Sequence, residues 1–291
     1  MIFGGVSQSP LSTSPVVILP IPYGATLTYR AGAAEGPAAL LAASGQMELF
    51  DDEWGEEIID IGIHTLPALE PNLATPEAMM EDIRAAAMPH IQAGRFLAAI
   101  GGDHSITVGL LRAYKEHFGT GFSILQLDAH ADLRESYHGT PFSHACVMYQ
   151  AAEMGLPFVQ VGIRSLSGPE WRLIQQRDWE KNIFWARHIV PAMQRQDDAW
   201  MTAVVEKLAP QVYVTFDLDG LDPSVMPAVG TPEPGGMDYW TVLRLLRRVA
   251  RERQVIGFDI NELSPIPGQP AGEFAAARIL YKMIGYAKKV I

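Results

Sequence analysis

The stretch Ser123-Ile124-Leu125-Gln126-Leu127-Asp128-Ala129-His130-Ala131-Asp132 runs from a short apolar strand into a cluster of acid and imidazole. Similar apolar, β-branched runs recur along the chain, at Val16–Leu19, Ile58–Ile61, Phe96–Ile100, Phe158–Val161, Val212–Phe216 and Val255–Phe258. Between them lie segments of helical period, including Thr75–Ala93, Thr107–His117, Ala199–Leu208 and Thr241–Arg253. The last opens on a Thr and ends on basic residues, which suits capping and the helix dipole. Continuous apolar strands alternating with helices predict a parallel sheet covered on both faces. No repeat, low-complexity tract or composition shift marks a linker. One α/β domain over residues 16–291 is expected, preceded by a flexible arm over residues 1–15.

Composition narrows the function classes. The 291 residues carry 22 Lys+Arg against 33 Asp+Glu, a formal net charge of −11, with 48% hydrophobic and 19% charged residues. That balance excludes disorder as the main state and argues against a nucleic-acid partner, which would require a basic face. The single cysteine, Cys146, excludes an internal disulfide and any multi-thiolate metal site, and fits a reducing compartment. Met1–Pro15 is rich in Ser and Pro, has no Lys or Arg, and reads as an arm and not a signal peptide. No run of apolar residues is long enough to span a bilayer. A cytoplasmic protein with no membrane association is expected.

The chemistry lies at the ends of these strands. Phe96–Ile100 runs into Gly101-Gly102-Asp103-His104-Ser105, and Val212–Phe216 into Asp217-Leu218-Asp219-Gly220-Leu221-Asp222-Pro223. Val255–Phe258 runs into Asp259-Ile260-Asn261-Glu262. In open α/β sheets ligands collect beyond the carboxyl ends of the strands, so these clusters should converge on one crevice. Asp128, His130 and Asp132 alternate, as do Asp217 and Asp219. In an extended chain, alternate residues point the same way, so each set can aim at one point. Converging carboxylates without a cation would repel one another and drive their own protonation. A hard set of two His and four Asp suits manganese or magnesium, and six ligands suit two ions sharing bridging carboxylates.

These segments resemble the ureohydrolase family of arginases and agmatinases. The resemblance rests on GGDHS at 101–105, DAHAD at 128–132, SHACV at 143–147, DLDGLDP at 217–223 and GTPEPGG at 230–236. Looser similarity extends over most of the chain, including Thr28-Tyr29-Arg30. It implies a three-layer α/β/α sandwich with a mostly parallel, roughly eight-stranded sheet and a binuclear manganese site, two Mn2+ per subunit. One ion would be held by His104, Asp128, Asp132 and Asp217. The other would be held by Asp128, His130, Asp217 and Asp219. Glu262 matches the family's guanidinium-binding glutamate, and His144 its proton-relaying histidine, with His138 a rival for that role. Asp132 would pass a proton to the leaving amine. A metal-bridging hydroxide would attack the guanidino carbon, releasing urea without a covalent intermediate. The family's trimers or hexamers make a homo-oligomer the expected state.

Several positions bear on the substrate. Four Asp ligands offset two divalent ions, so a hydroxide and Glu262 leave the pocket near −2, which suits a small cationic guanidino compound. The arginase asparagine that binds the substrate's α-carboxylate is replaced by Arg134, so agmatine is favoured over arginine. Arg134 would either meet a substrate carboxylate, as in guanidinobutyrate, or pair internally with Glu135 or another acid. Gly272-Glu273-Phe274 departs from the family's usual Thr before the last helix. Cys146, in an apolar run, reads as a packing residue and not a nucleophile. A non-catalytic, metal-stabilised binding homologue is the alternative of another class.

Overall fold

In a computed structural model, which describes residues 1–288, ten strands and nine α-helices alternate along the chain. The strands are β1 (Val16–Ile21), β2 (Phe50–Asp51), β3 (Glu56–Glu57), β4 (Ile63–Thr65), β5 (Phe96–Gly101), β6 (Phe122–Leu127), β7 (Phe158–Ile163), β8 (Ile183–Trp185), β9 (Gln211–Asp217) and β10 (Gln254–Asn261). The helices are α1 (Gly36–Ser44), α2 (Pro76–Gln92), α3 (Ile106–Phe118), α4 (Val147–Glu153), α5 (Gly168–Gln176), α6 (Ala186–Gln194), α7 (Ala199–Lys207), α8 (Tyr239–Glu252) and α9 (Ala271–Lys288). Eight strands form one sheet in the order β4-β1-β5-β10-β9-β6-β7-β8, and every pairing in it is parallel. The hairpin β2–β3 stands apart.

The sheet separates two apolar cores because successive strand residues face opposite sides. Val16 and Ile18 join one core with residues of α1, α6, α7, α8 and α9. Val17, Leu19 and Ile21 join the other with residues of α2, α3, α4 and α5. Each fully buried Leu, Ile or Phe in these layers contributes roughly 1.5–3 kcal/mol by leaving water. This is the expected three-layer α/β/α sandwich.

Three local expectations are corrected. Ile58–Ile61 is a short 3-10 turn, and the strand begins at Ile63. Gly62, at φ 97°, separates the two, while Ile58 is buried and the Ile59 amide donates to the Tyr281 hydroxyl on α9. Helix α8 begins two residues before Thr241, capped by Asp238, whose carboxylate accepts from the Thr241 amide at 2.8 Å. Within residues 1–15, where a flexible arm is expected, Phe3, Gly4 and Ser14 are buried while most of the others are exposed. Phe3 is buried in the core and its amide donates to Thr65 Oγ1 at 3.0 Å, so an apolar anchor holds the segment down. No described helix is long and apolar enough to cross a membrane.

Candidate active site

The four strands that end in acid and histidine are four consecutive neighbours at the centre of the sheet, β5-β10-β9-β6. Their registers align Ile100 with Ile260, Asn261 with Asp217, and Phe216 with Leu127. Asp128, Asp132, Asp217, Asp219, His104 and Glu262 therefore emerge at one edge, and all six are buried. Alternation in an extended chain is not what aims them. Asp128 Oδ1 accepts from the His130 amide at 2.5 Å, and Asp132 turns back at φ 51°. Asp217 Oδ1 accepts from the Asp219 amide at 2.9 Å as a 3-10 turn begins. Tight side-chain-to-backbone turns bring each set together.

Among the described residues, two groups could each hold a metal ion: His104, Asp128 and Asp132, and Asp128, His130 and Asp219. Asp128 belongs to both. Asp217 Oδ2 lies 3.5 Å from His104 Nδ1, beside the first group. His130 Nδ1 lies 2.9 Å from Asp219 Oδ2.

The hydrogen bonding of His104 tests whether a cation fits. Its Nε2 lies 2.8 Å from Thr215 Oγ1, and that hydroxyl donates to Asp259 Oδ1 at 2.6 Å. A hydroxyl has one proton, so Thr215 accepts from Nε2–H, which leaves Nδ1 as the lone-pair nitrogen of a neutral ring. Nδ1 is buried without a hydrogen-bond partner and faces carboxylate oxygens of Asp132, Asp128 and Asp217 at 3.0, 3.2 and 3.5 Å. Four negative or lone-pair atoms facing one point require a positive charge between them. The donor set fits a hard divalent ion.

Electrostatics carry the same message. Burial, and then the Asp219, Asp128 and Glu262 charges, push the Asp217 carboxyl well above the carboxylate range. Burial and the Asp128 charge push Asp132 up to about 7. Burial would also raise Asp128, but the adjoining His104 and His130 rings hold it below its ordinary value. Glu262 is raised well above its ordinary value by burial and by the Asp103 charge.

A cleft of about 270 Å³ opens above this cluster, lined among others by His130, Asp132, Asp217, Asp219, Glu262, His144, Arg134, Tyr137, Tyr29 and Glu170. Glu262 has a left-handed backbone at φ 68°, and its Oε1 accepts from the His104 amide at 2.7 Å. His144 lines the cleft and its ring meets Tyr137 edge-on at 5.9 Å. His138 has no place in the lining and packs on Tyr137. Arg134 stacks its guanidinium 4.7 Å over the Tyr137 ring, with Nε 3.8 Å from Glu170. Its internal acid is therefore Glu170. Cys146 is buried, and desolvation pushes its thiol up to about 12, in keeping with a packing role.

Several residues of this site have no role assigned from sequence. Asp259 points under His104 and not into the cleft, where it accepts from Tyr213, Thr215 and Asn261. Glu170 is buried, with Ser167 and the Leu133 amide donating to it. Arg164 donates to the carbonyls of Asp219, Leu221 and Glu233 and so pins the loop carrying Asp219. Asp259 has a sequence signal in its place at a strand end, and Glu170 in the Ser-x-x-Glu capping box it forms with Ser167. The contacts of Arg164, and that of Glu170 with Leu133, join residues from distant segments.

A family model described as the arginase family matches residues 14–285. The chain is 40% identical to N(1)-aminopropylagmatine ureohydrolase of Synechocystis sp., over 93% of this chain and 88% of that protein. It is likewise 40% identical to the protein of that name from Thermus thermophilus, over 97% and 93%. Among solved structures, the agmatine ureohydrolase of Thermoplasma volcanium superposes with a TM-score of 0.81 at 28% identity, covering 95% of this chain and 90% of that one. The chain belongs to the arginase family.

Proposed function

We propose that this protein is a manganese-dependent ureohydrolase that cleaves a cationic guanidino compound to urea and an amine. The observation that carries the reading is the lone-pair Nδ1 of His104 aimed, with three carboxylates, at one point beneath a cleft that also holds Glu262. One Mn2+ would be held by His104, Asp128, Asp132 and Asp217, and a second by Asp128, His130, Asp217 and Asp219. Bound there, manganese lowers the pKa of water so that hydroxide is available near neutral pH.

The chain's own groups supply the rest. Glu262 receives the guanidinium and holds its carbon over the cluster. Asp132 accepts the proton of the attacking water and delivers it to the leaving amine nitrogen. His144, at the cleft wall, moves protons between the cleft and solvent. Arg134 lines the same cleft with its charge directed at Glu170 and Tyr137, so it presents no free clamp for an α-carboxylate.

The name carried by the 40% identical relatives moves the first choice of substrate from agmatine to N1-aminopropylagmatine, with agmatine second. Both carry a guanidinium and at least one further positive charge, which suits an acidic cleft. A homo-oligomer, trimer or hexamer, in the cytoplasm is the accompanying proposal, checked by light scattering. Urea release by the manganese-loaded protein from N1-aminopropylagmatine, agmatine, guanidinobutyrate and arginine tests the function. Faster turnover of arginine than of the two amines contradicts the substrate assignment.

A further inference from the structure

Asp103 is wholly buried and takes no place in either candidate metal group. Its Oδ1 accepts from the amide and hydroxyl of Ser105. Its Oδ2 accepts from the Thr26 amide at 2.9 Å and the Thr26 hydroxyl at 3.0 Å. The close approach depends on Gly102, where a Cβ would stand 1.9 Å from the Tyr23 carbonyl oxygen. Thr26 Oγ1 in turn lies 3.0 Å from the His144 amide nitrogen and 3.1 Å from His144 Nδ1. The one other group near that ring nitrogen, among the described residues, is Ser143 Oγ, at 3.4 Å.

The Thr26 hydroxyl proton points at the carboxylate, which only accepts. Toward His144 the oxygen can therefore only accept, and it does so twice, from the amide and from the ring. A neutral His144 must then carry its proton on Nδ1 and leave Nε2 as a free lone pair.

We propose that Thr26, oriented by Asp103, is a positioning residue that fixes the tautomer and ring angle of His144 so that Nε2 is the nitrogen available for proton transfer. This deepens the proposed function and rests on it for the identity of the proton donor. The arrangement is a carboxylate–hydroxyl–imidazole chain, with the hydroxyl interposed between acid and base. Removing the oxygen while keeping the side chain's shape frees the ring to flip or to take the other tautomer.

Two measurements test it. Neutron diffraction from a deuterium-exchanged crystal of the manganese-loaded protein near pH 8 should find a deuteron on His144 Nδ1, and an Nδ1 without one overturns the proposal. In kinetics, Thr26→Val should lower kcat by about tenfold or more while KM stays within about twofold, since proton transfer by a positioned group supplies about 10²–10⁴-fold. Thr26→Ser should restore most of the loss. Wild-type kcat in T26V, or a T26S no better than T26V, overturns the proposal. Melting temperature and manganese content of T26V identify a variant that merely fails to fold. If the wild-type protein releases no urea from any guanidino compound, the proposed function fails, and the deuteron position still decides the role of Thr26.

Discussion

His104 and Asp132, delivered by two different strand ends, meet with Nδ1 and Oδ2 3.0 Å apart and no hydrogen bond on that nitrogen. A cation is the missing partner, and its binding energy must appear as stability. Manganese at a hundredfold excess over its dissociation constant should stabilise the fold by about 2.7 kcal/mol for each site filled. Asp217→Ala and His130→Ala should each lower bound manganese per chain and abolish urea release. Thermal melts with and without manganese, together with metal analysis, check this.

The orientation of His104 depends on Thr215, which passes a hydrogen bond on to Asp259. Thr215→Val keeps the volume and removes the link. Loss of such an outer partner typically weakens metal affinity by about 10–100-fold. Competition against a chelator of known affinity measures the change. Unchanged affinity would show that the ring is held by packing alone.

Glu262 is the buried carboxylate nearest in role to the substrate's charge. Glu262→Gln preserves shape and the hydrogen bond from the His104 amide. Losing one member of a buried charge pair costs about 2 kcal/mol or more in binding. Substrate affinity should therefore fall by tenfold or more while manganese content is retained.

How much of this is legible in the sequence depends on the kind of contact involved. The motif-bearing strands and the convergence of Asp128, Asp132, Asp217, Asp219 and His104 are legible because apolar runs followed by Asp and His mark strand ends in a parallel sheet. The route of convergence is not. Turns at His130 and Asp219 replace the extended geometry, because a local carboxylate-to-amide bond outcompetes continuation of the strand. Ile58–Ile61 has strand propensity but is claimed by packing against α9. Helices α5 and α6 carry prolines, Pro169 and Pro191, that read as breaks, and β8 is only three residues long. The Thr26–His144 and Thr215–His104 contacts join segments more than a hundred residues apart and leave no local pattern.

Stability has its own acid dependence, remote from the site. Lys282 on α9 is buried, with its ammonium 2.8 Å from Asp51 and 2.7 Å from Glu53. Burial would raise the Glu53 carboxyl, but hydrogen bonds from Lys282 and Tyr286 and the Arg247 charge hold it below its ordinary value. Its stabilising contribution is therefore complete above the pH at which the unfolded chain's carboxyl titrates. It is lost as pH falls through the lower folded value. Glu53→Gln should flatten the decline of melting temperature with acid in that window. Lys282→Ala should cost about 3–5 kcal/mol by leaving Asp51 buried and unpaired.

Cys146 offers a check on the absence of covalent catalysis. With its thiol buried and pushed up to about 12, it should resist alkylation in the folded protein at neutral pH. Cys146→Ala should keep urea release within about threefold of wild type, since a packing change of this size acts mainly on stability.

The most direct measurement is the amount of urea formed when the manganese-loaded protein is incubated with N1-aminopropylagmatine or agmatine. One urea per amine product is expected, with many turnovers per chain and loss of both products in Asp217→Ala. No urea from either amine, from guanidinobutyrate or from arginine, in a folded protein that retains its manganese, would contradict it.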